Sequence, residues 1–227
     1  SGVREAGMQA WLGGTFDPVH NGHLRVALDV AEALETTLNL LPCNVPPHHK
    51  QPQFSATQRL AMLTMAVTDE PALQVDDREL QRSGLSYTVD TLTELREELG
   101  SQPLCWVMGY DSFVSLPEWN RWTELFDLAH LVVCSRPGDA VELSAPLARE
   151  MKERQVTSAN ALRASKAGKI WCLEPTQLRI SATDIRQRIA AGRSLRYLLP
   201  ERVAQQVKEF SNLYFQYTDQ VIVPHLT

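Results

Sequence analysis

No stretch of this chain is apolar for long enough to cross a membrane, and the segment SGVREAGMQAW at its start has no apolar core of the kind a signal peptide carries. Basic charge is not in excess. Lys and Arg number 22 against 27 Asp and Glu, a formal net charge of −5, so no global positive field marks a nucleic-acid binder, and any site for phosphate must be local. Cysteine is sparse and unpaired in sequence. Cys43, Cys105, Cys134 and Cys172 form no CxxC, and three of them lie in apolar runs that read as buried strands, which makes them reduced core thiols of a cytoplasmic protein. Neither GxxxxGK[ST] nor GxGxxG occurs, so two common phosphate-binding loops are excluded by spacing. No Ser-His-Asp or Cys-His arrangement suggests covalent catalysis, and there are no internal repeats.

What is present is an alternation of short apolar runs with segments of helical period over 227 residues, 44% of them hydrophobic. This predicts one α/β domain, a Rossmann-like doubly wound parallel sheet with a small helical part at the C-terminal end. Strands are expected at Met8–Leu12, TLNLLP, LQV, LCWVMG, HLVVCS and KIWCLE. Leu24, Ala27, Leu28, Ala31 and Leu34 fall on one face of a first helix. Ser55 with Gln58 reads as a capping box, Gly100 closes the helix of SYTVDTLTELREEL, Ser181 caps that of SATDIRQRIAAG, and Pro200 opens a last one. Residues 138–167 read as a polar, irregular insertion. The domain is expected to span 8–214, with 1–7 and 215–227 as tails of uncertain origin.

The strongest chemical signal is Gly13-Gly14-Thr15-Phe16-Asp17-Pro18-Val19-His20-Asn21-Gly22-His23, lying between the first strand and the first helix. Gly13 and Gly14 admit a close approach to phosphate, and the helix start offers unpaired N–H groups to an anion. His20 and His23, three apart, share one side of the first turn, where their ring N–H groups can donate to phosphate oxygens. The alternatives are a glycine turn with incidental histidines, or a metal site adding His48 and His49. The second lacks a Cys or acidic partner at ligand spacing, and no metal ligand is expected from the protein. Near the other end, Ile180-Ser181-Ala182-Thr183-Asp184-Ile185-Arg186 places two hydroxyls at a helix start with an arginine one turn on. Taken alone, S-x-x-D is only a helix cap.

GGTFDPVHNGH together with ISATDIR resembles the paired motifs of the HxGH nucleotidyltransferases. HNGH also resembles the HIGH motif of class I aminoacyl-tRNA synthetases, but there is no lysine-rich second motif and no anticodon-binding region. Within the superfamily, Pro46-Pro47-His48, Ser86-Tyr87-Thr88, Gly109-Tyr110-Asp111-Ser112 and Leu116-Pro117-Glu118-Trp119 are similar to the nicotinate mononucleotide adenylyltransferases, over about Met8 to Tyr214. The resemblance implies transfer of AMP from ATP to nicotinate mononucleotide, with Mg²⁺ and without nucleic acid or membrane. It also implies that His20, His23 and Arg186 are catalytic and that Gly13, Gly14, Thr15, Phe16, Gly109, Asp111, Ile180, Ser181 and Thr183 complete the ATP site. Trp119 would stack on the pyridine, the Tyr87–Thr88 segment hold its carboxylate, and His48, His49, Lys50 and Arg136 face substrate. The family carries Lys or Arg directly after Pro-Pro-His, whereas here His49 stands there and Lys50 follows, so Lys50 is expected to supply the loop cation. Trp119 and Trp122 also fit a core pair, and Arg136 a solvated loop charge. Two rival functions are a nicotinamide mononucleotide or phosphopantetheine acceptor, and a catalytically silent nucleotide sensor on the same fold.

Overall fold

A computed structural model describes residues 7–45, 49–83, 86–139 and 142–221, with 213–221 as backbone only. In chain order the elements are β1 (Gln9–Gly14), α1 (Asn21–Leu34), β2 (Leu38–Pro42), α2 (Ala56–Val67), β3 (Leu73–Val75), α3 (Thr88–Leu99), β4 (Leu104–Gly109), α4 (Tyr110–Val114), α5 (Leu125–Leu128), β5 (His130–Cys134), α6 (Ala145–Arg154), β6 (Gln155–Val156), α7 (Ala159–Arg163), β7 (Ile170–Leu173), α8 (Ala182–Ala190) and α9 (Glu201–Val221). Among the described residues the strands form one seven-stranded sheet in the order β3-β2-β1-β4-β5-β7-β6, and every neighbouring pair is parallel.

Alternation along the strands divides the interior into two cores. Ala10, Cys105, Val107, Val132 and Cys134 face one side, where α1, α2, α8 and α9 contribute Val30, Leu34, Met62, Leu63, Ile185 and Val203. Trp11, Leu104, Trp106, Met108, Leu131 and Val133 face the other, covered by Leu92 and Leu95 of α3 with Phe113, Leu125 and Leu147. A parallel sheet buried on both faces needs strands apolar at successive positions, which is why LCWVMG and HLVVC carry no polar alternation. The chain leaves β1 for β2 on one side and later returns to pair β4 on the other. The sheet therefore has its topological switch point between β1 and β4, and a crevice opens beyond their C-terminal ends.

The capping box at Ser55 and Gln58 forms as expected, with mutual bonds of 3.0 and 3.1 Å. Gly100, at a positive φ of 61°, ends α3, and the Ser181 cap also forms, both where the sequence places them. The segment 138–167 corrects the expectation. It holds α6, the edge strand β6 and α7, and it anchors to the core through Leu147 and Leu162. The strand Ile170–Leu173 is the last among the described residues, yet it lies inside the sheet because β6 pairs with its outer side.

Candidate active site

The loop after β1 turns sharply. Phe16 adopts a positive φ of 50° and folds its buried ring back over Gly14, where an added Cβ would stand 3.0 Å from it. At Gly13 the same position would meet Trp106 at 3.3 Å, so a side chain at either glycine would press on a buried ring. The loop then delivers His20 as the N-cap of α1.

The two histidines cap the helix for one another. The backbone N–H of His23 donates to His20 Nδ1 (3.3 Å), and that of His20 donates to His23 Nδ1 (3.1 Å). Their rings stack with centroids 3.6 Å apart and planes 20° apart, and the Phe16 ring packs edge-on against His23 at 5.0 Å. This is a capping box built from imidazoles. Its consequence is chemical. Each Nδ1 is an acceptor, so a neutral ring carries its proton on Nε2 and presents a donor there. Burial pushes His20 down to about 4, and burial plus the neighbouring His20 pushes His23 down to about 3. Both rings are therefore neutral donors near pH 7, and their orientation is locked from behind.

Gly22 brings the two sequence motifs together. A Cβ there would lie 2.8 Å from His20 Cε1 and 3.3 Å from the carbonyl oxygen of Ile180, so the start of α8 rests on the first turn of α1. At α8, Ser181 Oγ accepts the N–H of Asp184 (3.0 Å), which leaves its hydroxyl proton free to donate. Arg186 donates to Thr183 Oγ1 (3.1 Å) and to the carbonyl of Asp17 (2.8 Å). His23, Thr15, Phe16, Asp17, His49, Lys50, Ala182 and Arg186 share the wall of one open cavity of about 660 Å³. Thus the glycine loop, the segment after β2 and α8 converge, although Arg186 and Asp17 are 169 residues apart in sequence.

A second cavity of about 330 Å³ lies at the end of β4, bounded by Gly109, Asp111, Cys134 and Arg136. Nothing lies within 4 Å of a Cβ built on Gly109, and the exposed side chains of Asp111 and Arg136 pair at 3.8 Å across the opening. Neither cavity is lined by Tyr87, Thr88 or Trp119. Tyr87 is 43% exposed and stands as N-cap of α3 with no side chain capping that helix. Trp119 is half-buried against the second core, with its Nε1 donating to Ser115 Oγ at 3.4 Å. Trp122 packs edge-on with Phe126 at 6.2 Å. His48 falls outside the described residues.

Three polar residues of the site were not singled out from the sequence. Asp17, 5% exposed, accepts the N–H groups of Gln53 and Phe54, both at 2.9 Å. Arg59, 3% exposed, donates through one nitrogen to the carbonyls of Thr15 and Cys43, and so ties the loop after β1 to the end of β2. Asn44 donates to the carbonyls of Glu79 and Arg82 and fastens the turn before α3. Asp17 was readable as part of the motif, whereas Arg59 looks in sequence like a solvated helix charge.

The locked histidines have a measurable cost at low pH. In an unfolded chain each titrates near 6.5, so acid protonates that state first, and their contribution to stability, complete above pH 6.5, is lost as pH falls through about 4 and 3. Below pH 6.5 each such group adds a slope approaching ~1.4 kcal/mol per pH unit. Chemical unfolding between pH 8 and 5 is expected to show a wild-type decline that is shallower in His20→Gln. Equal slopes for the two proteins would refute this account of the site.

The sequence matches the cytidylyltransferase-like family over residues 11–188. It is 50% identical over 199 residues to a protein of Halorhodospira halophila (strain DSM 244 / SL1) named probable nicotinate-nucleotide adenylyltransferase, covering 87% of this chain and 91% of that one. A relative from Marinobacter nauticus with the same name is 48% identical over 203 residues, covering 88% and 94%. Among solved structures, the Plasmodium falciparum nicotinic acid mononucleotide adenylyltransferase complexed with NaAD superposes with a TM-score of 0.69, covering 91% of this chain and 97% of that one. At 14% identity, what the two share is the fold.

Proposed function

The chain belongs to the cytidylyltransferase-like family, and from that premise we propose that it is a nucleotidyltransferase of NAD biosynthesis, joining AMP from ATP to nicotinate mononucleotide with release of pyrophosphate. The observation that carries this reading is that the locked His20–His23 pair packs beside the start of α8, with His23, Ala182 and Arg186 on the wall of one cavity. Residues 8–214 act as one catalytic domain. The four free cysteines suit a reducing cytoplasm, where this reading places the enzyme.

The acceptor's phosphate attacks the α-phosphorus of ATP, the bond from that phosphorus to the bridging oxygen breaks, and pyrophosphate leaves. A phosphate monoester with a second pKa of about 6 is largely dianionic at neutral pH, so no residue need take a proton from it. The protein's task is to hold two anions in line and to oppose the charge that builds up between them. In this assignment the Nε2–H groups of His20 and His23 donate to the transferring phosphates. Ser181, Thr183 and the N–H groups at the start of α8 receive the leaving pyrophosphate, with Ile180 and Arg186 beside them. Gly13, Gly14, Thr15 and Phe16 form the floor. Gly109, Asp111 and Arg136 take the adenosine end, and His48, His49 and Lys50 the acceptor. Among the described residues no three His, Cys, Asp or Glu side chains are grouped to hold a metal ion, and Asp17 already accepts two N–H groups. The site therefore suits Mg²⁺ carried on the nucleotide's phosphates with water ligands, where it would offset their charge.

The nicotinate carboxylate is assigned to the first turn of α3. That turn has no side-chain cap, and the buried Ser86 Oγ just before it has no hydrogen-bond partner among the described residues. A carboxylate satisfies such donors by charge-assisted bonds, whereas a carboxamide turns an NH₂ toward one of them. With Trp119 stacked on the ring, kcat/KM for nicotinate mononucleotide is expected to exceed that for its amide by about 10²-fold or more. Phosphopantetheine should be inactive. Steady-state pyrophosphate release with the three acceptors tests this, and comparable values for acid and amide would overturn the acceptor assignment.

A further inference from the structure

Asp17 is more than a member of the glycine loop. Its carboxylate is buried and every contact it makes joins segments that are distant in sequence. Oδ2 accepts the N–H of Gln53 and Oδ1 that of Phe54, which closes the segment running from β2 into α2. The guanidinium of Arg186 lies 3.5 Å from Oδ2 and donates to the Asp17 carbonyl oxygen at 2.8 Å, while its other terminal nitrogen holds Thr183 Oγ1. Gln53 itself lines the cavity, and both polar atoms of its side-chain amide are buried with no hydrogen-bond partner among the described residues. Asp17 thus meets an arginine on the ATP side, through its carbonyl oxygen and an ion pair at 3.5 Å, while its carboxylate holds a cavity-lining loop on the acceptor side.

A negative charge beside a site for two anions is unfavourable unless something else requires it. Here two N–H groups and a guanidinium largely compensate it, so the charge serves to orient rather than to meet substrate. We propose that Asp17 is a positioning residue of the transfer reaction. It holds Arg186 in the orientation that reaches the triphosphate and fixes the 51–54 segment, so that the two substrates are brought into line together. The inference rests on the adenylyl-transfer reading for its kinetic meaning, while its geometric content concerns Arg186 and the 51–54 segment.

The test is a double-mutant cycle of Asp17→Asn and Arg186→Ala, read in two ways. The first readout is kcat/KM for pyrophosphate release. The second is calorimetric binding of an ATP analogue with a non-hydrolysable α,β bridge, which needs no reaction. Asp17→Asn alone is expected to lower kcat/KM at least about 10-fold and to weaken analogue binding. In the Arg186→Ala background the same change should cost clearly less than it does alone, because the part of its effect that acts through Arg186 is already gone. Losses that multiply in both readouts, or an Asp17→Asn protein that behaves like wild type, overturn the proposal. If the amide variant does not fold, Asp17→Glu, which keeps the charge and displaces it by one methylene, is read in the same cycle against the same outcomes. Wild-type protein that releases no pyrophosphate with nicotinate mononucleotide would sink the adenylyl-transfer reading instead, and the binding cycle would still judge Asp17.

Discussion

Alanine at His20 or at His23 is expected to lower turnover by about 10²-fold or more, with a smaller change in the KM for the acceptor. The reason lies in how the rings are held. Each Nδ1 is spent on the backbone N–H of the other histidine, the rings are stacked at 3.6 Å, and only the Nε2 side is left to face a ligand. Such donors are oriented before substrate arrives, which is the condition under which they favour a transition state over a ground state. The variants also carry a structural penalty, since losing an N-cap costs about 1 kcal/mol. His20→Asn separates the two effects. Asparagine is a good cap, so the melting temperature should recover while turnover stays low. Near-normal turnover in both alanine variants would remove the histidines from the mechanism.

Gly22→Ala is expected to be nearly as damaging, by about 10²-fold in kcat, although alanine is the better helix former by ~1 kcal/mol. The added Cβ would stand 2.8 Å from His20 Cε1 and 2.9 Å from its Nδ1, with the Ile180 carbonyl at 3.3 Å on the far side. The imidazole is pinned by its bond to His23 N–H and the carbonyl belongs to backbone, so neither can yield cheaply. Either His20 leaves its stack or α8 lifts from α1, and both separate the groups that converge on the cavity. Kinetics beside a thermal melt decide the matter. A variant that melts near wild type with kcat reduced supports the packing argument, and one with unchanged kcat contradicts it.

Much of this architecture is legible in sequence because it rests on local rules. The strands of a parallel sheet buried on both sides read as apolar runs, and Gly100, Ser55 with Gln58, and Ser181 announce helix ends by their own chemistry. The segment 138–167 was not legible. In α6 and α7 only Leu147 and Leu162 are buried, so the apolar period is too thin to see, and β6 is two residues long. The candidate site divides in the same way. Both histidines lie within one motif and share a helix turn, whereas the bonds of Asp17 to Gln53 and Phe54, and of Arg59 to Thr15, span 36 to 44 residues and end on backbone atoms. No periodicity records such contacts. The choice of Lys50 over His49 as the loop cation rests on the sequence, since both are exposed and both line the cavity.

The assignment is tested most directly by following the two ends of ATP separately with nicotinate mononucleotide as acceptor. With ATP labelled at the α-phosphorus, the account predicts that the label appears in a dinucleotide of the mass of deamido-NAD. Label at the γ-phosphorus should appear in pyrophosphate, in equal amount. Binding of ATP with no label in a dinucleotide would contradict it and would mark the protein as a nucleotide-binding member of the family that does not perform the transfer.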